Sequence, residues 1–258
     1  PAWKPKSVLE LGCGPGTGLF AAKTVWPSIK TATGLDTEQL FLSLAEEIHY
    51  DSKMNLDVTW VKSTVLKWIA AEDKVSYDLI IVANVLNELT DEEHERLIQK
   101  ISQRSSGVVV LLEPGTAYGF SIIQKAARAV APMHHLITPY INNSFVASDE
   151  YWIHFSQRFQ RPEFQRRIRQ SMRDSSLMAS DWEDAKYSYV AWGNIPEEKP
   201  IWGVCIGKVE KLKGFLTIPV LTAEGIVNAR VLKRNKAEYN YVKAIRWGEV
   251  LEKPIITS

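Results

Sequence analysis

The sequence contains few cysteines and no long hydrophobic run. Only Cys13 and Cys205 carry thiols in a chain of 258 residues, which excludes a disulfide scaffold and a multi-cysteine metal site and fits a reducing compartment. No apolar run approaches the roughly 20 residues that a membrane-spanning helix needs, so we expect no membrane contact. Glycine and proline, at 14 and 12 residues, are too sparse for a collagen-like or low-complexity chain. The chain starts at Pro1 without an initiator Met or a targeting peptide, so we expect a fragment of a longer product.

The composition that remains is that of a globular protein. Hydrophobic residues make up 45% and charged residues 24% of the chain, and the length predicts one core domain with a smaller attachment. The net charge of +1 hides an asymmetry. Residues 1–131 hold 13 Lys and Arg against 16 Asp and Glu, whereas residues 132–258 hold 18 against 14. We therefore expect the second half to be the part that meets a polyanion.

The first half of the chain alternates strand and helix patterns. Apolar runs predict five strands, at positions 7–11, 31–36, 58–62, 78–83 and 107–112. Segments with helical spacing separate them. Strands that alternate with helices favour parallel pairing with right-handed crossovers. Residues 1–131 therefore predict a doubly wound, mostly parallel α/β sheet of the Rossmann-like kind.

Two of the predicted helices have recognisable starts. Thr37 is expected to cap a helix that runs to about position 50 and carries Leu40 and Leu44 on one face. Thr90 and Glu93 have the pattern of a capping box, in which a hydroxyl and a carboxylate three residues apart satisfy the free amides at a helix start. The second signal predicts a helix after the fourth strand.

The alternating pattern ends near Pro132. Residues 132–181 lack a clean period and predict a basic, irregular insert. Strand-like runs within residues 182–210 are expected to complete the sheet, and residues 211–258 predict a small β-rich appendage with one hairpin. Together with the α/β core at residues 1–131, this gives four predicted regions.

The strongest local signal is a glycine-rich turn between the first strand and the first helix. It reads Glu10-Leu-Gly-Cys-Gly-Pro-Gly-Thr-Gly18 and contains Gly12, Gly14 and Gly16. Glycines let the backbone turn tightly and let a ligand approach, while the helix that follows offers free amides. The dinucleotide fingerprint G-x-G-x-x-G fails, because its third glycine position is Thr17. The turn nevertheless predicts a nucleotide-type cradle.

An acidic residue at the next strand end supports this interpretation. Asp36 follows Gly16 by 20 residues and ends the predicted second strand. A carboxylate there can accept hydrogen bonds from both ribose hydroxyls of a nucleoside. The alternative is a purely structural glycine turn, with Asp36 as a helix-entry residue.

The G-x-G-x-G spacing, with Glu10 two residues before the first glycine, resembles the first motif of class I S-adenosylmethionine methyltransferases. The resemblance implies that Glu10 lies near the methionine amino group of S-adenosylmethionine, through water, and that Thr37 lies beside the cofactor. It also implies that Asn84 faces the sulfonium region, although capping of a strand end explains Asn84 equally well. Many members have an acid after the third strand for the adenine amine, whereas this chain has Ser63 and Thr64. The cofactor-binding set is Glu10, Gly12, Gly14, Gly16, Asp36, Thr37 and Asn84.

Six further segments, in order from about position 84 to 249, resemble the methyltransferase-like proteins of the mitochondrial small ribosomal subunit. They are Asn84-Val-Leu-Asn-Glu-Leu89, Leu112-Glu-Pro-Gly-Thr116, His154-Phe-Ser-Gln-Arg158, Arg161-Pro-Glu-Phe164, Lys186-Tyr-Ser-Tyr-Val190 and Arg246-Trp-Gly-Glu249. The resemblance implies a class I methyltransferase fold with a small β appendage and a place in the mitochondrial matrix. It also implies a role in assembly of the small subunit, through its ribosomal RNA and with ribosomal proteins or other assembly factors.

The family resemblance also implies four cysteines that hold an iron–sulfur cluster, and here the sequence departs from it. The matching positions carry Met133, Thr138, Ile153 and Leu221, none of which supplies a thiolate. We therefore expect no iron–sulfur cluster. Histidines occur near these positions, but without a thiolate or a firmly placed carboxylate we expect packing or RNA contact rather than a zinc site.

The most basic stretch spans positions 155–173 and contains six arginines and one acid, Glu163. Arginine forms forked hydrogen bonds to phosphate and stacks on bases, and phenylalanines interleave with the arginines here. The stretch therefore predicts an RNA-binding element, with a solvated helix face as the alternative. The arginines are Arg158, Arg161, Arg166, Arg167, Arg169 and Arg173.

Two functional classes remain open, and the sequence names no catalytic residue for either. The first is an active S-adenosylmethionine-dependent ribosomal RNA methyltransferase. The second is a binding protein that keeps the donor site for structure or sensing and clamps immature ribosomal RNA. The N-P-P-[YF] motif for exocyclic amines is absent, and neither cysteine is placed to attack a pyrimidine. Because RNA-facing features are present, we favour the second class.

Overall fold

Strands and helices alternate through the first half of the chain, as predicted. The computed structural model describes residues 3–72, 74–141, 152–171, 181–194 and 201–256. The elements of the first half are β1 (Ser7–Leu11), α1 (Thr17–Val25), β2 (Thr31–Asp36), α2 (Gln39–Ser52), β3 (Asp57–Lys62), α3 (Val65–Ala70), β4 (Tyr77–Ala83), a one-turn 3-10 helix (Leu86–Glu88), α4 (Asp91–Arg104), β5 (Ser105–Pro114) and α5 (Ala117–Val130). All five predicted strands are confirmed.

The second half is richer in strands. Its elements are β6 (Leu136–Thr138), β7 (Phe155–Gln160), α6 (Glu163–Ser171), β8 (Trp182–Gly193), β9 (Gly203–Cys205), β10 (Glu210–Leu212), β11 (Phe215–Thr222), β12 (Gly225–Leu232), α7 (Lys236–Ala244) and β13 (Val250–Leu251). Antiparallel pairing joins these strands to one another and to β5. The change from alternating strands and helices to mostly antiparallel strands coincides with the end of the alternating sequence pattern.

The larger sheet has the strand order β3-β2-β1-β4-β5-β8-β6, and β7 pairs with β8. The strands from β3 to β5 are all parallel, so their carboxyl ends meet at one edge of the sheet. β8 runs antiparallel to β5. This order confirms the doubly wound, mostly parallel sheet, and it places the point where the strand order reverses between β1 and β4.

Helices cover both faces of this sheet, which explains why its central strands are apolar. Ile80 in β4 and Val109 in β5 are fully buried. On one face, Leu97 of α4 and Ile123 of α5 pack into a core with Ile80 and Val109. On the other face, Leu19 of α1 packs into a second cluster. Packing on both faces therefore holds the strands, and with them their carboxyl ends, in fixed positions.

β8 takes part in two structures. Its second half pairs with β5, starting where Tyr187 lies opposite Pro114. Its first half, from Trp182 to Tyr187, pairs with β7. Because Pro114 is the last residue of β5, the two-stranded ribbon of β7 and β8 extends beyond the carboxyl edge of the parallel strands. The ribbon therefore projects from the same edge at which ligands bind in such sheets.

The second sheet has the order β10-β11-β9-β13, with β12 paired to β11. β11 and β12 form the predicted hairpin, in which Thr222 lies opposite Gly225 across a two-residue turn. Val242 of α7 packs against this hairpin in a separate core. Leu221, at the turn end of the hairpin, belongs instead to the core of the larger sheet. The turn end of the hairpin is thus the end that joins the two sheets.

Two parts of the predicted organisation differ from the structure. The region 132–181 is not simply irregular, because β6 and β7 add edge strands to the larger sheet through antiparallel pairing with β8. The region 182–210 does not act as a unit either, because β8 joins the larger sheet whereas β9 lies in the second sheet. These strands are short or polar, so their place depends on the partner strand rather than on their own period.

The structure confirms one predicted helix start and corrects the other. Thr90 and Glu93 form the capping box of α4, with both hydrogen bonds present. Thr37 does not cap α2, whose N-cap is Glu38. The carboxylate of Asp36 accepts a hydrogen bond from the amide of this N-cap residue at 2.9 Å, and no side chain of the described residues caps the first-turn amides of α2. None of the helices in the described part of the chain has the length and apolarity needed to cross a bilayer.

The apolar face predicted for α2 is exposed rather than buried. Leu40 is 81% exposed and Leu44 is 44% exposed. The residues that α2 buries are Leu42 and Ala45. The helix therefore packs on the sheet through a narrow pair of positions and leaves larger apolar side chains at the surface.

This geometry predicts opposite outcomes for two leucines in the same helix. Leu42→Ala should lower the free energy of unfolding by about 2–4 kcal/mol, because it removes buried methyl groups and leaves a cavity. Leu40→Ala, the matched control, should change it by less than about 0.5 kcal/mol. Urea denaturation of both variants measures the difference. Equal losses would show that the exposed face of α2 is buried in solution.

Candidate functional site

The glycine-rich turn begins where β1 ends and is tied to β2. The amides of Gly12 and Cys13 both donate to the carbonyl of Leu35, at 2.8 and 2.9 Å. Gly12, Gly14 and Gly16 have φ angles of +70°, +50° and +80°, in the left-handed region that favours glycine. The structure therefore brings the three predicted glycines into one turn that leads directly into α1.

Two of these glycines differ in what surrounds them. A Cβ atom on Gly12 would clash with the side chain of Val85, whereas a Cβ atom on Gly14 would meet no atom within 4 Å. Gly12 therefore permits close packing of the turn against the chain that follows β4. Gly14 faces open space, which leaves room for a ligand beside the turn.

Glu10 lies beneath the turn and is only 4% exposed. Its Oε2 atom accepts a hydrogen bond from the amide of Leu19 at 2.9 Å, so it holds the first turn of α1. Burial raises the pKa of Glu10 to about 7, against the opposing effect of hydrogen bonds from the amides of Leu19 and Gly18. A carboxyl group of this kind titrates near neutral pH.

Asp36 connects the turn to the start of α2. Its Oδ2 atom accepts a hydrogen bond from the Gly14 amide at 2.7 Å, and its Oδ1 atom accepts one from the Glu38 amide at 2.9 Å. A carboxylate offers roughly four lone-pair sites, so acceptor sites remain for the hydroxyls of a ligand. Asp36 and Thr37 both line the cleft beside the turn.

The cleft lies at the carboxyl edge of the sheet and has a volume of about 340 Å³. It collects the residues that follow β1, β2, β3 and β4. Of the predicted cofactor-binding residues, Gly12, Asp36, Thr37 and Asn84 line it directly, while the remaining three belong to the adjoining turn or lie beneath it. The lining residues are Gly12, Leu35, Asp36, Thr37, Glu38, Phe41, Ser63, Thr64, Val65, Leu66, Asn84, Val85, Glu88 and Leu89.

One wall of the cleft is held by a residue whose role the sequence did not reveal. Asn84 turns the chain after β4 with a φ of +57°, and the 3-10 turn follows. Glu113 is fully buried, and its Oε1 atom accepts a hydrogen bond from the Leu86 amide in that turn at 2.9 Å. Burial raises the pKa of Glu113, against hydrogen bonds from nearby amides. The available signal was a carboxylate at the end of an otherwise apolar strand.

The ribbon of β7 and β8 together with α6 forms a projection that we call the basic arm. Arg158 forms a two-pronged ion pair with Asp184, at 2.7 and 2.9 Å. Arg161 donates to Glu183 at 2.7 Å, and its side chain is only 13% exposed. Both acids lie on β8 and outside the basic sequence stretch. The arm therefore carries less free positive charge than the sequence suggested.

The remaining predicted arginines lie on or after α6. Arg167 is exposed and pairs with Glu163 one helical turn earlier. Arg166 is half-buried, and the backbone of Arg169 lies within α6. Arg173 lies outside the residues that the structure describes. Exposed apolar side chains, including Phe159 and Phe164, accompany these arginines.

The sequence of the chain matches a known family. The sequence model of the family described as "Mitochondrial small ribosomal subunit Rsm22" matches residues 1–252. The chain belongs to this family. The resemblance drawn from the ordered sequence segments is thereby confirmed.

Two curated mitochondrial proteins are similar to this Rsm22-family chain. Rsm22-cox11 tandem protein 2 of Schizosaccharomyces pombe is 28% identical over 127 residues, which are 48% of this chain and 17% of that protein. Ribosome assembly protein METTL17 of Homo sapiens is 24% identical over 128 residues, which are 49% of this chain and 28% of that protein. The matched region is a small part of each relative, so what the whole proteins do passes to this chain only as a proposal.

Solved methyltransferase structures are more distant. The methyltransferase domain of bacterial CtHen1-CN is 15% identical, with coverage of 74% of this chain and 91% of that one and a TM-score of 0.44. Coclaurine N-methyltransferase bound to N-methylheliamine and SAH is 23% identical, with coverage of 43% and 32% and a TM-score of 0.37. At these TM-scores, the two likenesses carry no information about what the Rsm22-family chain binds.

The four positions that match the family's cluster cysteines do not fit an iron–sulfur cluster. Ile153 and Leu221 are buried in the core of the larger sheet. The hydroxyl of Thr138 forms a hydrogen bond with the hydroxyl of Tyr189 at 2.9 Å, and Met133 is exposed. None of these side chains offers a thiolate. Within the described ranges, no group of three or more His, Cys, Asp or Glu side chains is arranged to hold a metal ion.

The raised pKa of Glu10 predicts that the stability of the Rsm22-family chain depends on pH. The folded chain holds the Glu10 proton more tightly than the unfolded chain, whose carboxyl has a pKa of 4.5. The resulting stabilisation is complete below that value and is lost as the pH rises through about 7. Over this window we expect a contribution of about 3 kcal/mol to disappear.

Urea denaturation at several pH values between 4.5 and 8 measures this contribution as the difference between the wild type and Glu10→Gln. The variant keeps an acceptor for the Leu19 amide but cannot ionise, so its free energy of unfolding should lack the fall assigned to Glu10. Parallel pH profiles for the two proteins would contradict the assignment.

Proposed function

We propose that this Rsm22-family chain binds S-adenosylmethionine in the cleft and ribosomal RNA of the small subunit on its basic surfaces. We further propose that it works in the mitochondrial matrix as an assembly factor, together with ribosomal proteins or other assembly factors, and without methyl transfer. The observation that carries this proposal is the glycine turn, with Gly14 open and Asp36 beside it, at the edge from which the basic arm projects. The names of the family and of both relatives support the mitochondrial and ribosomal parts.

The cleft residues suit the separate parts of S-adenosylmethionine. Asp36 keeps free acceptor sites for two ribose hydroxyls, and Gly14 allows close approach of the backbone. Ser63 and Thr64 line the cleft and offer neutral hydroxyls to the adenine amine in place of an acid. Asn84 stands at the side where the sulfonium would lie. When bound, the cofactor would supply an electrophilic methyl group.

Two other residues of the predicted set, Glu10 and Thr37, have different positions relative to the cleft. Glu10 is buried beneath the turn, so contact with the methionine amino group would run through water. Thr37 lies between Asp36 and α2 and lines the cleft wall. We propose that Glu10 mainly fixes the amides at the start of α1 and that Thr37 borders the ribose.

The basic arm suits RNA because it combines cations with exposed rings. Arg158, Arg166 and Arg167 are at least partly exposed, and Phe159 and Phe164 present apolar surface beside them. Guanidinium groups bind phosphate, and rings accept stacked bases. We propose that Arg161, held in its ion pair, instead keeps the arm in shape.

Neither the two cysteines nor the residues after β4 supply a group that would favour catalysis. Burial raises the pKa of Cys13 to about 12 and also raises the pKa of Cys205, so neither thiol is a ready nucleophile. After β4 the chain reads Asn84-Val-Leu-Asn87 rather than the motif that binds exocyclic amines. We therefore favour a binding role for the cleft.

An active ribosomal RNA methyltransferase remains the second candidate. It is favoured by one observation, that the basic arm extends beyond the sheet edge at which the cleft opens. RNA held by the arm would lie on the same side of the sheet as a bound methyl donor. The two candidates differ in whether a methyl group is transferred.

The cofactor proposal predicts that Asp36→Asn weakens binding of S-adenosylmethionine by about tenfold to a hundredfold, because a charged acceptor of two hydroxyls is lost. Isothermal titration calorimetry with S-adenosylmethionine measures this change. Asp51→Asn, a matched change at an exposed position of α2, should bind as the wild type does. Absence of binding by the wild-type chain would overturn the cofactor proposal.

The same two variants separate the candidate functions. With tritiated S-adenosylmethionine and small-subunit ribosomal RNA or precursor particles, we expect no transfer of label above background. Robust labelling that Asp36→Asn abolishes and Asp51→Asn retains would establish the methyltransferase instead. Thermal unfolding of both variants controls for loss of the fold.

The RNA proposal predicts that Arg166→Glu with Arg167→Glu weakens binding of small-subunit ribosomal RNA by at least about tenfold, since two cations become anions near phosphate. Filter binding at several salt concentrations measures the affinity. Lys4→Glu with Lys30→Glu makes the same charge change at exposed positions near the amino edge of the sheet. This control should bind more tightly than the arm variant, and equal weakening would mean that only net charge matters.

A further inference from the structure

The second sheet carries a concentration of positive charge that the arm does not account for. Between positions 208 and 236 the sequence holds seven Lys and Arg but only two acids, Glu210 and Glu224. Glu224 lies in the turn between β11 and β12, at the end that packs towards the larger sheet. Glu210 lies at the start of β10, opposite Thr217. The two turns at this opposite end, at positions 213–214 and 233–235, contain three cations and no acid.

That opposite end consists of two turns held against each other. One turn, between β10 and β11, contains Lys213, and the other, between β12 and α7, contains Lys233 and Arg234. The Lys233 amide donates to the Gly214 carbonyl at 2.9 Å, so the backbones of the two turns are in direct contact. All three cationic side chains are exposed. We call this surface the basic turns.

The basic turns contrast with the basic arm in how their charge is used. In the arm, Arg158, Arg161 and Arg167 each pair with an acid. In the described residues no ion pair is seen for Lys213, Lys233 or Arg234. Like charges held together repel one another, and a bound polyanion removes that repulsion. The basic turns thus present three exposed cations for which the described residues show no ion pair.

An aromatic platform adjoins the basic turns on the outer face of the hairpin. The guanidinium of Arg230 lies over the ring of Phe215 at 3.9 Å from its centroid. Leu212 is exposed next to Phe215, its partner across the strand pair. A guanidinium plane stacked on a ring leaves its outer side available to a base, and unpaired bases commonly stack on such planes.

The turns also stand apart from the rest of the molecule. Leu221, at the other end of β11, packs in the core of the larger sheet. β11 spans eight residues, so the basic turns lie roughly 25 Å from that contact. A ligand can therefore reach them without disturbing the cleft.

We propose that the basic turns, with Arg230 on Phe215 beside them, bind the phosphates and one or more bases of a single-stranded stretch of RNA. This inference rests on the proposed function, ribosomal RNA binding, and adds a second contact surface distinct from the basic arm. Charge supplies the affinity, which therefore depends steeply on salt, and the stacked guanidinium selects unpaired over duplex RNA.

The test uses the variant Lys213→Glu, Lys233→Glu and Arg234→Glu with transcribed small-subunit ribosomal RNA in filter binding across a salt series. The matched control is Lys4→Glu, Lys30→Glu and Lys74→Glu, three exposed lysines near the amino edge of the larger sheet. We expect the turn variant to bind at least about tenfold more weakly than this control. The slope of its log affinity against log salt concentration should fall by the amount that corresponds to about three phosphate contacts.

Arg230→Lys examines the stacking part, because it keeps the charge and loses the plane. It should weaken binding of a single-stranded oligoribonucleotide by about tenfold while leaving duplex binding unchanged. Equal binding of the single strand by Arg230→Lys and the wild type would overturn the assignment to single-stranded RNA.

The outcomes separate this inference from the function on which it rests. If the turn variant binds RNA like the control while the arm variant loses binding, the basic turns are not an RNA surface but the proposed function stands. If the wild type binds no ribosomal RNA, the proposed function fails as well. If the turn variant binds free RNA normally yet no longer associates with small-subunit particles, the surface meets protein and the inference is wrong.

Discussion

The whole candidate site depends on how the backbone of β2 holds the turn that follows β1. The Leu35 carbonyl accepts hydrogen bonds from two successive amides, and the next residue, Asp36, accepts one from the Gly14 amide. Parallel pairing of β1 with β2 brings these groups together, so the sheet shapes the loop before any ligand is present. Such preorganisation matters because ordering a flexible loop costs free energy, and this cost weakens the binding of the ligand.

Charge is distributed by the tertiary structure in a way that a linear window does not show. The arginine-rich stretch meets acids of β8, so much of its charge stabilises a two-stranded ribbon that has little apolar core of its own. Lysines of the second sheet are fewer per residue but remain unpaired in the described part of the chain. The number of charges along the sequence therefore favours the basic arm, whereas the number of unpaired cations in the described residues favours the basic turns.

The sequence predicted the five parallel strands and their glycine turn because each depends on local pattern. A buried parallel strand is a continuous apolar run, and a left-handed turn needs glycine. The sequence did not predict three features: the position of Glu113, the ion pair of Arg158 with Asp184 and the exposure of Leu40. Each depends on which distant segment packs against the residue, and no period in the chain encodes that. For the same reason β9 was assigned to the wrong sheet.

β8 is one uninterrupted strand that belongs to both the larger sheet and the ribbon. Its 12 residues extend over about 40 Å, and a strand paired along its length does not bend freely. The length of β8 therefore fixes the distance from the cleft to the tip of the ribbon. Any molecule gripped at the tip would be held at a constant offset from the nucleoside site, whatever its sequence.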